Sequence, residues 1–391
     1  AFGSVLDEMA KACPHTPLLV LSGLAAGADI LAAEEAIARR VPVVACLPMP
    51  LGEYERDFDP AQLVRFRAAL AASSRVVVAS PSRENAYVAQ GLFVAQFSHV
   101  LIAFWDGEPS RGAGGTADVV DMRVTRDLHH GNGADVPYPP DLGPVYQIVT
   151  PHASGRLPDA FAVKRLYPKR FRDDTTVARD FATVLERIDL YNADLSTTPA
   201  ARADGGLQAL VDRTDAAANR LHRRMTFFQV VLFVCAFLAA AMQIIGRLAI
   251  VKVGALVVAF IAYRFARRND YENRYQDYRA LAEGLRVQNV WWSAGLRHRL
   301  ADKAYLGMQE GELQWIRMAL RCAYLLHCEG REPPQGSAAD RVCREWIRSQ
   351  WRYYYRACRA DAACQQLLGR GSRIALGIGI AASVAAALVL G

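Results

Sequence analysis

The sequence predicts a doubly wound α/β domain at the N terminus, followed by an all-α region that contains transmembrane helices. Two observations support this division. Before residue 155, short apolar runs alternate with helical patterns, as in parallel sheets that are covered by helices. After that residue, long uncharged runs and amphipathic helical patterns replace the strands. The N-terminal part is therefore expected to be Rossmann-like, with a ligand crevice at the carboxyl ends of its strands.

Five apolar runs predict the strands of this sheet, and two longer patterns between them predict helices. The strands are expected at Leu18–Ser22, Val41–Leu47, Arg75–Ala79, Val100–Trp105 and Val145–Thr150, and the helices at Asp29–Arg40 and Asn85–Ser98. Right-handed crossovers between parallel strands then give the doubly wound arrangement.

Loops rich in glycine follow the first and the fourth predicted strands, as SGLAAGAD and as DG with the later GAGGT. Glycine lets a backbone turn tightly and approach a phosphate at a helix N terminus. After the second strand, LPMP begins at Leu47, and Pro48 with Tyr54 is predicted to form a rigid lip over a base or ribose. Two glycine turns that converge on one crevice favour a nucleotide site, although such loops also use glycine for shape alone.

The stretches SGLAAGAD, LPMP, IAFWDG and GGTADVV together resemble the SLOG superfamily over residues 1–155. This superfamily includes the DNA-processing protein DprA, the Lonely Guy enzymes and the cytosolic sensor of TRPM channels. The resemblance implies a nucleotide or an NAD- or ADP-ribose-derived ligand. Carried over by position, it points to Ser22, Gly23, Asp29, Asp106, Gly107, Gly114, Gly115 and Thr116 as ligand-binding residues. The Lonely Guy enzymes use a longer PGGxGTxxE turn, and Asp118 lies near the place of its catalytic glutamate. Asp118 is thus a catalytic candidate if the protein is an enzyme, and otherwise a helix N-terminal carboxylate.

Three uncharged or nearly uncharged runs predict membrane spans. Met225–Gly246 carries no charge over 22 residues, and a helix of that length reaches about 33 Å, enough to cross a bilayer core. Leu248–Tyr263 is shorter and contains Lys252, whose side chain can snorkel to an interface. Ile374–Gly391 is rich in Gly and Ala and is predicted to be a third span. The alternative is that these runs are buried core helices of a soluble fold.

The net charge is +7, and clusters of arginine lie beside the first two runs. The arginines concerned are Arg220, Arg223 and Arg224 before the first run, and Arg264, Arg267 and Arg268 at the end of the second. This placement favours membrane topology over nucleic-acid binding, and it places both flanking regions in the cytoplasm. Within the first run, Gln229 and Gln243 are 14 residues apart, so they share a helix face to within about 40°. They are candidates for facing a pore, for interhelical hydrogen bonds or for the membrane interface.

The eight cysteines are typical of reduced cytosolic thiols, since they lack the paired spacing of a zinc site. His129, His130 and His152 fall in loop segments and are expected to be solvated, so no metal site is predicted. The chain begins partway into a domain and stops inside an apolar run, so it is expected to be a piece of a longer protein. Whether a fourth span follows residue 391 stays open.

Amphipathic helices are predicted at Tyr271–Trp292, Leu313–Leu326 and Trp346–Ala357. The segments AEGLRVQNVWW, ELQWIRMAL and WIRSQWRYYYRA behind a membrane hairpin resemble the SLATT family over residues 215–391. SLATT proteins are membrane effectors of bacterial conflict systems, so the resemblance implies a pore-forming effector that a nucleotide sensor controls.

We therefore expect five segments: a nucleotide-binding domain at 1–155, a helical linker at 156–224, a transmembrane hairpin at 225–265, a cytosolic helical region at 266–372 and a third span at 373–391. The expected function is a ligand-gated pore in the bacterial inner membrane, with its N-terminal domain in the cytoplasm. Two or three spans cannot enclose a water path alone, so a homo-oligomer is implied. The alternative is a membrane-anchored nucleotide N-glycosidase of the Lonely Guy type.

Overall fold

The computed structural model describes residues 1–110, 112–125, 143–151, 159–168, 173–199, 205–245, 249–302, 311, 313–333, 340 and 342–390. The chain divides into two compact units. The first comprises Ala1–Asn289 with His298–Glu332, and the second comprises Val290–Arg297 with Pro333–Gly391. The first unit is a mixed α/β fold with mostly helical content. The predicted loop histidines at 129, 130 and 152 lie outside the described residues.

Two three-stranded sheets form the β structure of the first unit. The first sheet is parallel, in the order β1 (Val20–Ser22), β2 (Val43–Leu47) and β3 (Arg75–Val78). The second pairs β4 (Leu101–Trp105) with β5 (Val145–Val149) in parallel, and β6 (Val163–Leu166) runs antiparallel to β5. The five predicted strands are thus confirmed with ends shifted by a residue or two, whereas β6 was not predicted. The two central strands, β2 and β5, are buried along their whole length.

Six helices surround these strands: α1 (Phe2–Ala12), α2 (Ala28–Ala38), α3 (Leu51–Tyr54), α4 (Pro60–Ala72), α5 (Ala86–Phe97) and α6 (Thr116–Val124). Of these, α2 and α5 match predictions. The start of α4 is fixed by Asp59 and Gln62, which cap each other's backbone N–H groups, with Pro60 at the first helical position. The core between β1, β2 and the helices includes Leu24, Ile30, Leu47, Met49 and Phe66.

Five further helices follow in the first unit, apart from the last four residues of α10, which belong to the second. They are α7 (Asp174–Ser196), α8 (Leu207–Ile245), α9 (Ala249–Arg268), α10 (Tyr271–Ser293) and α11 (Gln314–His327). The rings of Tyr191, Tyr278 and Trp315 pack against one another where α7, α10 and α11 meet, with centroids 5.2 to 6.1 Å apart. The first half of α8 is buried against this group, through side chains such as Val211, Thr214 and Leu221. The predicted helices at 271–292 and 313–326 are therefore confirmed.

The second half of α8 differs from the first, because it exposes large apolar side chains. Phe233 is 77% exposed and Phe237 is 74% exposed, while Ile250 of the neighbouring α9 is 88% exposed. By length and composition, one helix in the described part of the chain, at Leu207–Ala240, is suited to crossing a membrane, with a mean hydropathy of 1.6 in its most apolar 18-residue window. We call residues 225–245 of α8 together with α9 the apolar hairpin.

The second unit is dominated by a single 43-residue helix, α12 (Arg348–Leu390), which a π-helical turn at Val342–Ile347 precedes. The sequence separated a helix at Trp346–Ala357 from an apolar run at Ile374–Gly391, whereas the structure joins them. The reason is compositional, since Ala, Gln, Leu and Arg dominate the residues between them and all four favour helix.

Candidate functional site

A crevice with a volume of about 440 Å³ lies at the carboxyl ends of β4 and β5. Its lining residues come from the loop after β1, the start of α5, the loop after β4, the start of α6 and the end of β5. They are Ala28, Tyr87, Phe104, Trp105, Asp106, Glu108, Pro109, Ser110, Gly112, Ala113, Gly114, Gly115, Thr116, Ala117, Thr150 and Pro151. Because the carboxyl ends of parallel strands are where α/β proteins bind ligands, this is the candidate site.

The glycine turn, residues Gly112–Gly115, forms one wall of the crevice. Gly114 has a φ of +81°, and a Cβ there would lie 2.5 Å from the backbone carbon of Tyr87 and the backbone nitrogen of Val88. Only glycine fits, because both the left-handed conformation and the close approach of two backbones exclude a side chain. The turn is therefore pressed against the first turn of α5, and it leads through Gly115 into α6.

Asp118, the third residue of α6, holds this turn in place. Its Oδ2 accepts a hydrogen bond from the backbone N–H of Gly114 at 2.8 Å. The carboxylate lies in the first turn of α6, where the helix dipole also favours it. Asp118 is not among the lining residues of the crevice, so the geometry gives it a structural role.

The strand end at Trp105 and Asp106 also lines the crevice. The Nε1 of Trp105 donates to the carbonyl of Glu108 at 2.7 Å, and Oδ1 of Asp106 accepts from the backbone N–H of Glu108 at 3.0 Å. These bonds fold the loop back and leave the indole as part of the lining. Asp106 and Glu108 are acidic, and none of the described lining residues is Lys or Arg.

Tyr87 contributes a second ring to the crevice. Its hydroxyl donates to the Asp57 carboxylate, and burial together with this bond raises the pKa of Tyr87 to about 12. The phenol is therefore a neutral hydrogen-bonding group across the physiological range. Tyr87 and Trp105 thus both offer aromatic surface to the crevice.

The loop after β1 is held by its own polar side chains. Ser22 Oγ accepts from the backbone N–H of Leu24 at 3.1 Å and donates to the Asp29 carbonyl at 3.3 Å. Tyr54 donates its hydroxyl to the Gly23 carbonyl at 3.1 Å. Burial raises the pKa of the Asp29 carboxyl, against the opposing effect of a hydrogen bond from the Ala25 backbone. These residues fix the loop, and Ala28, the first residue of α2 after it, lines the crevice.

The structure brings together some of the predicted ligand-binding residues and not others. Asp106, Gly114, Gly115 and Thr116 line the crevice, whereas Ser22, Gly23, Asp29, Pro48 and Gly107 are not among the lining residues. Pro48 is buried, and its carbonyl accepts from the Ser80 N–H at 3.0 Å. The prediction that Tyr54 forms a lip is wrong, because its ring is buried edge-on against Phe58 and Phe66.

Sequence reasoning missed several lining residues. Thr150 follows β5 directly, so the rule about strand carboxyl ends could have identified it. Tyr87 had no such signal, since its place depends on how α5 packs against the glycine turn. Of the two glutamines proposed to face a pore, Gln229 is exposed on α8, and the side chain of Gln243 lies outside the described residues.

Comparison with known proteins finds one family match. The family described as "Protein of unknown function (DUF4231)" matches residues 210–297, which cover most of α8 together with α9 and α10. No curated protein and no solved structure matches the chain. The matched segment therefore includes both the apolar hairpin and α10, the helix that follows it in sequence.

Proposed function

We propose that the protein is a nucleotide-sensing membrane effector, in which a ligand in the crevice biases an oligomeric pore built from the apolar hairpin. One observation carries the proposal. Helix α8 is continuous, its first half is buried in the unit that contains the crevice, and its second half exposes apolar side chains along its length. A sensor and a lipid-facing element thus share one helix.

The exposed half of α8 supports insertion into a bilayer. Only 11% of its most apolar window is buried, whereas a core helix of a soluble protein is mostly buried. Transfer of a phenylalanine side chain such as Phe233 from water is worth about 2 kcal/mol, and the hairpin carries many such side chains. Arg223 and Arg224 precede the hairpin and Arg267 and Arg268 end it. By the positive-inside rule, the crevice is proposed to face the cytoplasm. The SLATT resemblance implies the inner membrane of a bacterium.

A single doubly wound, Rossmann-like sheet is part of the proposal. The crevice gathers Ala28 after β1, Asp106 after β4 and Thr150 after β5. That grouping is expected if β1 and β4 are neighbours in the strand order 3-2-1-4-5-6, with the ligand at the switch point. Tyr87 and Trp105 then suit stacking on a nucleobase, Asp106 suits a ribose hydroxyl, and the N terminus of α6 suits a phosphate.

A contiguous set of contacts leads from the crevice to α11, which packs with α7 and α10. The guanidinium of Arg123, at the end of α6, donates to the carbonyls of Ala95, Ser98 and His99 at 2.7 to 3.0 Å. Cys322 of α11 lies 3.5 Å from the His99 ring. A shift of α6 on ligand binding would therefore move the C-terminal end of α5 and, through it, α11.

The path continues from α11 to the hairpin. Trp315 of α11 donates its Nε1 to Asp277 of α10 at 3.3 Å, and Asp277 also pairs with Arg187 of α7 at 2.6 Å. Helix α10 follows the hairpin directly in sequence. Coupling of this kind needs a ligand that binds one arrangement better than the other.

The deciding experiment is ion flux from liposomes that contain the purified oligomer, with and without AMP, NAD or ADP-ribose. Flux should appear or change with a ligand that also binds by calorimetry. The variant G114A should lose both the binding and the response, while the matched variant G52A should keep both, because Gly52 has nothing within 4 Å of its Cβ position. The pore hypothesis is refuted if the oligomer binds nucleotide but never conducts ions.

The alternative of a nucleotide N-glycosidase needs a carboxylate at the reacting bond. Asp118 is the residue that the Lonely Guy resemblance offers for that role, and its hydrogen bond with Gly114 favours sensing over hydrolysis. Product analysis after incubation with nucleoside monophosphates tests this directly.

A further inference from the structure

Helix α12 carries six exposed arginines along one face: Arg348, Arg352, Arg356, Arg359, Arg370 and Arg373. We call this set the arginine face. At about 100° of rotation per residue, the six fall within an arc of about 100°. From Arg348 to Arg373 the face runs for about 38 Å along the helix. We infer that this face binds the anionic headgroups of the bilayer surface.

Aromatic rings border the arginines in the N-terminal part of α12. Trp351 stacks on Tyr355 with ring centroids 5.4 Å apart, and the Arg359 guanidinium lies 4.7 Å from the Tyr355 ring centroid. Trp351 is 65% exposed. Tryptophan and tyrosine next to arginine are typical of helices that lie in the headgroup layer, where rings and guanidinium groups meet lipid phosphates.

A second copy of the same helix does not fit this face. Between Trp346 and the last residue, Asp361 is the only acidic residue, and at about 190° from the centre of the arginine face it lies on the opposite side of the helix. Six like charges cannot be neutralised by one carboxylate, so pairing of two such helices would be repulsive. Charge complementarity therefore requires a polyanion.

The bilayer is favoured over nucleic acid because the same polypeptide carries the apolar hairpin. This step rests on the proposed function. A chain held at the membrane by one element meets the surface at a high effective concentration, and a hydrophobic anchor with a basic helix is the usual pair of signals for stable attachment. Basic clusters on amphipathic helices are typical binding sites for anionic lipids.

Two glycines let the arginine-rich part take its own orientation. Gly369 and Gly371 lie between that part and the uncharged run that begins at Ile374. In a helix interior each glycine weakens the helix by about 1 kcal/mol relative to alanine. The Cβ position of Gly371 has nothing within 4 Å, so no packing contact opposes a bend at this point. Residues 348–359 can therefore lie along the surface whatever direction the following run takes.

The test uses the full chain in nanodiscs of phosphatidylcholine alone or mixed with phosphatidylglycerol, with hydrogen exchange of residues 348–359 as the readout. Exchange should be slower in the anionic discs, and high salt should remove the difference. Each arginine near an anionic surface contributes about a five-fold factor, so R352Q/R356Q/R359Q should weaken docking about 100-fold. The control R40Q/R56Q/R179Q changes charge equally at exposed positions elsewhere and should leave the exchange unchanged.

Equal exchange in both kinds of disc overturns the inference. It is also overturned if a single-stranded oligonucleotide slows the exchange in neutral discs while anionic lipid does not. If the chain does not remain in neutral discs, the proposed membrane anchor is contradicted, but the lipid contact of the arginine face is not. In that case flotation of the soluble chain with anionic vesicles, lost in R352Q/R356Q/R359Q, supports the lipid contact, and no flotation overturns it.

Discussion

Replacement of Arg123 by methionine should strongly destabilise the α/β part of the protein. Arg123 is fully buried, and its guanidinium donates to four carbonyl oxygens, those of Ala95, Ser98, His99 and Gly143, at 2.7 to 3.3 Å. These carbonyls belong to the end of α5, the turn after it and the segment that leads into β5. One side chain therefore ties together the three segments that surround α6.

The magnitude follows from two opposing contributions. Hydrogen bonds to a charged group contribute about 1.5 to 3 kcal/mol each, and each buried carbonyl left without a partner costs a comparable amount. Removal of the guanidinium also relieves the cost of burying a charge, which offsets part of the loss. We expect R123M to lower the free energy of unfolding by about 3 to 5 kcal/mol, within the range for breaking a buried charged network.

The assay is a denaturant titration of the purified protein in detergent, followed by tryptophan fluorescence and circular dichroism. R56M is the matched control, because Arg56 is exposed, and its effect should stay within about 0.5 kcal/mol. R123K keeps the charge and one or two of the hydrogen bonds, so its loss of stability should lie between those of R123M and R56M. If R123M unfolds at the same denaturant concentration as R56M, the role assigned to the guanidinium is refuted.

Three further changes test other parts of the structure. G114A forces a side chain into a left-handed backbone against Tyr87 and Val88, so it should abolish nucleotide binding by calorimetry and lower stability by about 1 to 3 kcal/mol, whereas G52A should do neither. D29N should raise the melting temperature at pH 7 and not at pH 3, because burial raises the Asp29 pKa. For a carboxyl whose folded pKa is raised, stability is lost as pH rises from the unfolded pKa through the folded one, and an equal shift at both pH values would contradict this. F233D places a charge at an apolar position that is 77% exposed on α8, at a cost of about 3 kcal/mol at the centre of a bilayer. It should release the protein from membranes on carbonate extraction, while V64D, at an exposed position of α4, should not.

The strands could be predicted because their signal is local. Runs such as Val43–Leu47 are apolar, rich in β-branched residues and bounded by turn residues, which distinguishes a buried strand from the chain around it. β6, with the sequence VKRL, carries two charges in four residues and is exposed or half-buried. Its strand conformation comes from pairing with β5, and no local pattern encodes that pairing.

The site was less predictable than the fold because side-chain direction depends on tertiary packing. Gly114 and Asp106 could be predicted from the sequence, because glycine turns and strand carboxyl ends border the ligand crevice in α/β proteins. Tyr54 follows β2 in the same way, yet its ring turns inwards to Phe58 and Phe66 and its hydroxyl is used by Gly23. Whether an aromatic side chain covers a ligand or fills a core is decided by such neighbours.

The bonds around the buried half of α8 restrict how it can move. Thr214 Oγ1 lies 2.7 Å from the Tyr191 hydroxyl of α7, and Asp215 pairs with Arg279 of α10 at 3.1 Å and also with Arg286. Sliding of α8 along its axis by one turn, about 5.4 Å, would break all of these contacts at once. A tilt that carries α7, α8 and α10 together preserves them, so tilting is the cheaper motion.

This reasoning makes a prediction for D215N. Loss of the carboxylate frees α8 from both arginines of α10, so ligand-induced flux should weaken while ligand affinity stays within about two-fold, since coupling and local binding are separate free energies. E272Q, a change at an exposed acid of α10, is the matched control and should leave the flux response intact. If D215N responds to ligand as fully as E272Q does, the ion pairs of Asp215 are not needed for the response, and other contacts between α8 and α10, such as the hydrogen bond from Asn289 to Gln208 at 2.8 Å, have to carry the motion.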